Sequence, residues 1–319
     1  MNIDVTNEIE LIEAFNNSKA TNINIASGVY HLKDTLFLNV SNVIIKGDEF
    51  DRPILDFSET PNGTNGLVIE CDNIQVKNII IRYAGYKGLF ATTNNSTFEN
   101  IDTYGNCDCG FQLKFSSNTK IISCCSYDNF GYMTMKDGTP IFGFNSDGFC
   151  DKQYEGPGNI WFNCKSWNNS DDGFDFYERI TPEDSPTIIE NCVAFSNGYE
   201  EKDISKNPRK DTDSSFFETC EYDLTKYPSY GNGNGFKLGG NFTKHCVITN
   251  NCYAFNNKRN GFAQNENIGK MDVNKCVSSG NGLYNYGFRT YAGKVTISNC
   301  ITTKGEDSII TTDLTFKNS

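Results

Sequence analysis

No run of about 18 apolar residues occurs anywhere in the 319 residues, so no helical membrane span is expected. The segment Met1 to Phe15 mixes Asp, Glu and Asn into its apolar pattern, and no signal peptide is read there. Basic residues are in deficit, 28 against 40 acidic, and a net charge of −12 is the opposite of a nucleic-acid binder's electrostatic footprint. The same charge repels a polyanion, which would bind only where a cation or a local basic cluster reverses the field. Proline is scarce, 8 residues against 28 glycines, which favours many tight turns over proline-rich linkers. Histidine is scarcer still, with only His31 and His245.

Cysteine is plentiful, at 13 residues, but zinc spacing is missing: Cys107 and Cys109 are too close for paired ligands and no second pair stands at finger distance. Long amphipathic helices are absent beyond the first twenty residues. What is present instead is a repeat. A Gly-Phe pair recurs at Gly110, Gly148, Gly173, Gly235, Gly261 and Gly287, at intervals of 38, 25, 62, 26 and 26 residues. The two long intervals must hold extra loops or coils. Each pair is followed 13 to 19 residues after its glycine by a cysteine, at 124, 164, 192, 252, 276 and 300, often written Asn-Cys.

Between these marks lie short β-prone runs, such as Val68–Ile69, Ile79–Ile81, Ile160–Phe162, Thr187–Ile189 and Val295–Ile297. Short strands on a period near 25, without crossover helices, describe an all-β fold: a right-handed parallel β-helix, a solenoid whose coils stack about 4.8 Å apart. Recurrent Phe, Cys and Asn residues should then form internal ladders, with the cysteines as stacked free thiols rather than bridges. The expected organisation is one β-helix domain over 1–319. Residues 1–20 would include a capping helix at Glu8–Phe15, with Thr6-Asn7 as N-cap, and 198–232 would be a long loop insertion.

Aligned on their glycines, Asp147 and Asp172 fall in one column, and Asp175 and Lys237 in another, each pair belonging to neighbouring coils. Asp171 adds a fourth carboxylate, provided that the chain bends near Gly173, because alternation would otherwise send Asp171 and Asp172 to opposite faces. Asp-Asp-Gly and Ser-Asp-Gly are also ordinary turn sequences. The lysine in the same column is what argues for a site. Clustered carboxylates repel unless a cation sits among them, and a hard ion tolerant of irregular oxygen ligands, Ca²⁺, fits better than Mg²⁺.

Three segments then carry a resemblance: Asn145-Ser146-Asp147-Gly148-Phe149 with Lys152, Asn169-Ser170-Asp171-Asp172-Gly173-Phe174-Asp175, and Gly233-Asn234-Gly235-Phe236-Lys237-Leu238-Gly239-Gly240. In this order they resemble polysaccharide lyase family nine, the pectate lyases built on a β-helix. The resemblance implies that Asp147, Asp171, Asp172 and Asp175 hold Ca²⁺ and that Lys237 is the catalytic base. It implies β-elimination on a galacturonan, with an unsaturated sugar as product. Lys152, Tyr177, Arg179, Tyr222 and Arg289 are candidate substrate contacts. A polymeric acidic substrate implies a secreted enzyme, expected to be a monomer without nucleic-acid or membrane partners. Rhamnogalacturonan is the alternative substrate for the same chemistry. A polygalacturonase-like hydrolase would need Gly-His-Gly and Arg-Ile-Lys segments that the chain lacks. A non-catalytic carbohydrate-binding β-helix would explain the coils without the lysine.

Overall fold

In a computed structural model, residues 1–131, 134–136, 139–141, 143–198, 231–289, 294–309 and 315–317 are described. Their strands are two to eight residues long, and the chain winds them into a parallel β-solenoid of about eleven turns. One face is a ten-stranded sheet running from Leu36–Leu38 to Ser308–Ile309. The other two faces merge into a twenty-stranded sheet, because the eight-residue strands Gln75–Arg82 and Thr97–Tyr104 each span both. The 38-residue interval contains an antiparallel hairpin, Thr134–Lys136 with Thr139–Ile141. Most of the 198–232 insertion, residues 199–230, lies outside the described residues. Its two ends meet, since a Cβ on Gly198 would stand 2.3 Å from the Gly233 Cα.

The Gly-Phe repeat forms the innermost column of the ten-stranded face. Phe111, Phe149, Phe174, Phe236 and Phe262 pair in register, continuing through Leu89, Leu67 and Leu36 in the earlier coils. The rings from Phe149 onward stack with centroids 4.8 to 5.3 Å apart, which is the spacing the backbone ladder imposes. The last pair breaks the expected alignment: Phe262 faces Tyr286, not Phe288. A slip of two residues keeps a side chain on the same face, so Phe288 is still fully buried and the repeat looks unbroken in sequence.

The cysteines at 124, 164, 192, 252 and 276 are buried free thiols, and Cys300 is a partly buried one. The Cys164 and Cys192 amides each donate to the next thiol, at 3.4 Å. Each cysteine follows a residue in the left-handed region, Ser123, Asn163, Asn191, Asn251, Lys275 or Asn299, with φ between 50 and 56°. Asparagine tolerates that corner best, which explains the Asn-Cys spelling. One bridge departs from the free-thiol expectation, a disulfide between Cys109 and Cys150. At a further corner Asn106, Asn129, Asn169, Asn197, Asn257 and Asn281 pass amide hydrogen bonds from coil to coil at 2.8 to 3.0 Å.

Helix Glu8–Phe15 is capped as the sequence suggests. The Asn7 side chain accepts from the Glu10 amide at 3.0 Å, while the Glu10 carboxylate accepts from the Thr6 amide at 2.7 Å. Leu11, Ala14 and Phe15 are buried in the core cluster, so the helix closes the first coil.

Candidate functional site

Three neighbouring coils supply the site, through the strands Phe149–Asp151, Phe174–Asp175 and Phe236–Lys237 and the turns before them. Their inner phenylalanines fix the register, so the outward residues Cys150, Asp175 and Lys237 fall side by side. The chain bends before Phe174: Asp171 to Gly173 lie outside any strand, and both Asp171 and Asp172 reach the site. The Asp172 amide donates to Asp147 Oδ1 at 2.9 Å, tying the two turns together. Asp147, Asp172 and Asp175 present carboxylate oxygens within 4.8 Å of one another. Asp171 stands beside them, its two oxygens accepting from the Asn145 amide at 2.9 Å and the Asn232 amide at 2.6 Å.

Two lysines enter this group. The Lys237 ammonium lies 3.1 Å from Asp175 and 3.2 Å from Asp172. Lys152 bridges Asp147 and Asp175 at 2.7 and 2.6 Å. Lys152 thus serves as an internal counter-ion among the carboxylates, a place that its sequence position did not reveal. Fully ionised, the four carboxylates outnumber the two ammonium groups by two negative charges. Burial, reinforced by Asp172, pushes Asp171 up to about 7. Burial also raises Asp147 well above the usual range, against the pull of Lys152. At Asp175 burial is outweighed by Lys152 and Lys237, which hold its carboxyl low. Burial acts to discharge Lys237, but Asp175 and Asp172 keep it protonated well above the ordinary lysine value.

The donor set fits a hard divalent cation. It is all oxygen, its charge deficit when fully ionised is two, and Asp172 Oδ2 is buried without a hydrogen bond, although the Lys237 ammonium is near. Asn234 holds the other Asp172 oxygen through its amide and side chain, at 2.6 and 2.7 Å. Asn234 occupies the column of Asp147 and Asp172, so the alignment that found the carboxylates contained this clamp too. Cys150 Sγ lies 3.2 Å from Asp147 Oδ2, which places the disulfide against the site.

A cleft of about 650 Å³ opens over this group and is lined by Asp171, Asp175, Lys152, Tyr177 and Lys237. The Tyr177 amide donates to Asp175 at 2.9 Å, and the Lys237 ammonium stands 5.2 Å from the Tyr177 ring centroid. The ring lies on Gly240, where a Cβ would come within 2.3 Å of it, so the second glycine of Gly239-Gly240 makes room for the tyrosine. Arg179 corrects the sequence expectation. It is fully buried, donating to the carbonyls of Ser116, Tyr154 and Pro157 and paired with Asp151 at 3.4 Å, so it braces the coil interior and touches no substrate. Arg289 is exposed and lines a separate hollow with Arg259, Asn260 and Tyr284. Tyr222 lies outside the described residues. His245 is buried, its ring between the Leu238 carbonyl and Thr187, and burial lowers it to about 3.

Fold and site together define a parallel β-solenoid with an acidic, lysine-bearing cleft on one face. The chain belongs to the family described as Pel9A-like, right handed beta helix region, whose model matches residues 5–299. Pectate lyase L of Dickeya chrysanthemi is 34% identical over 255 residues, covering 78% of this chain and 52% of that protein. The chain spans about half the length of the curated pectate lyase L relatives from Dickeya and Paenibacillus polymyxa that it matches. Among solved structures, pectate lyase Pel9A is similar with a TM-score of 0.75 and 26% identity, over 93% of this chain and 70% of that one. A rhamnogalacturonan lyase is similar in fold, with a TM-score of 0.68 at 20% identity over 91% of this chain and 76% of that one.

Proposed function

We propose that the chain is a secreted, calcium-dependent pectate lyase that cleaves a galacturonan backbone by β-elimination. The observation that carries this reading is the lysine Lys237 held in the same cleft as four carboxylates whose full ionisation leaves two charges unbalanced. Asp147, Asp171, Asp172 and Asp175 would hold Ca²⁺. Bound there, the ion would neutralise a galacturonate C6 carboxylate and stabilise the charge that develops when C5 loses its proton.

Lys237 is the group that takes the C5 proton. The electron pair left at C5 forms the C4–C5 double bond, the bond from C4 to the glycosidic oxygen breaks, and that oxygen takes a proton from solvent while Lys237 returns its own to solvent. No water is consumed. Lys237 must be neutral before the step, and the carboxylates that keep it protonated are the ones that would hold the ion. Its proton is therefore released when their charge is balanced in another way. Tyr177 fixes one side of the ammonium and the cleft wall restricts its approach.

The test compares polygalacturonate with rhamnogalacturonan side by side, following ultraviolet absorbance and reducing ends. Absorbance from a conjugated double bond on polygalacturonate, lost on chelation, is the expected result. Reducing ends without absorbance would mean hydrolysis, and absorbance only on rhamnogalacturonan would transfer the same chemistry to that polymer. Binding without either signal would leave a carbohydrate-binding β-helix.

A further inference from the structure

We propose that Lys114 binds the carboxylate of a second galacturonate, so that the cleft selects runs of unesterified sugars; this rests on the reading of the substrate as a galacturonan. Lys114 follows Leu113, which pairs with Asp151, so it lies one coil from Lys152 in the same outward column. It is about 10 Å, two coil spacings, from the coil of Asp175 and about 14 Å from that of Lys237. At that backbone separation Lys114 faces the stretch of groove next to the sugar whose C5 faces Lys237.

Lys114 and Phe90 line both the main cleft and the adjoining hollow of about 710 Å³, so the two form one groove running toward the N-terminal coils. The other lysines of the cleft already have carboxylate partners: Lys87 pairs with Asp108 at 2.8 Å, and Lys152 and Lys237 with the site aspartates. Lys114 has no ion pair among the described residues. Its ammonium stands 5.3 Å from the ring centroid of Phe115, which is 49% exposed and offers an apolar face to a sugar ring. In a chain of net charge −12, an unpaired ammonium within a groove is a site where a polyanion is attracted. Glu70 and Asp72 line the far part of the adjoining hollow and would repel the next carboxylate, which limits the acidic reading to this one added position.

The experiment measures KM and kcat of Lys114→Met and Lys114→Arg on polygalacturonate and on highly methyl-esterified pectin. Lys114→Met should raise KM on polygalacturonate about tenfold, the value of one charge-assisted hydrogen bond, with kcat within about twofold. KM on esterified pectin should not move, and Lys114→Arg should restore most of the loss. An unchanged KM on polygalacturonate, or an equal rise on both polymers, overturns the proposal. Oligogalacturonate binding to Lys237→Ala, with and without Lys114→Met, gives the same comparison without turnover. A tenfold loss there supports Lys114 even if no lyase activity is found, and no loss refutes it independently of the reaction.

Discussion

Lys152 and Lys237 sit among the same carboxylates but have opposite relations to a bound ion. Lys152 bridges Asp147 and Asp175 and so competes for oxygens that a cation would use. Lys152→Met should therefore tighten calcium binding by about tenfold or more, because a unit charge at this range repels a divalent ion strongly. Titration calorimetry measures it, and weaker binding would show that Lys152 instead helps to form the site. Asp171 supplies the pH dependence. With its value raised to about 7, it binds a proton below that point, and the proton must leave before the carboxylate can hold an ion. Calcium affinity should fall by at least about tenfold per pH unit below 7, since the raised Asp147 carboxyl must lose its proton as well, whereas a pH-independent affinity would remove Asp171 from the ligand set. Most of this site was legible in the sequence, since glycine alignment alone placed Asp147 over Asp172 and Asp175 beside Lys237. Arg179 was misread because nothing in its sequence neighbourhood signals burial; its partners, the Asp151 carboxylate and the carbonyls of Ser116, Tyr154 and Pro157, lie 22 to 63 residues away in sequence.

The coil is the repeating element, and its ladders account for its precision. Asn197 accepts from the Asn169 side chain at 2.9 Å and donates to Asn257 at 3.0 Å, all three fully buried. Asn197→Ala leaves the Asn169 backbone amide without its acceptor and removes one side-chain bond to each neighbour, and should cost about 1 to 3 kcal/mol of stability, read from denaturant midpoints at constant slope. A loss below about 0.5 kcal/mol would mean that the ladder is replaceable. The ladders were predictable in kind because Phe, Cys and Asn each recur with the period. The final register was not. Gly287-Phe288 copies the motif, but Tyr286 takes the inner position, and a two-residue slip preserves the pattern of buried and exposed side chains. The Cys109–Cys150 bridge was equally hidden, since it joins residues from different columns whose proximity follows only from the three-dimensional stacking.

For the whole molecule, stacking converts sequence distance into contact. Asp175 and Lys237 are 62 residues apart, yet they stand on adjacent strands because the chain leaves the coil at Gly198 and resumes it at Gly233. Replacing residues 199–230 with a short glycine linker should therefore preserve the β-rich circular dichroism spectrum and the elimination reaction while altering substrate preference. Loss of the folded spectrum would show that the insertion is part of the solenoid's support. With a net charge of −12 and an excess of carboxylates in the cleft itself, a polyanion is attracted there only once a cation balances those carboxylates.

Lys237→Ala, assayed for both turnover and calcium binding, tests the division of labour between the lysine and the aspartates most directly. The account predicts that formation of the unsaturated product falls to background while calcium binds with affinity equal to or tighter than before. Full activity in that variant would contradict it.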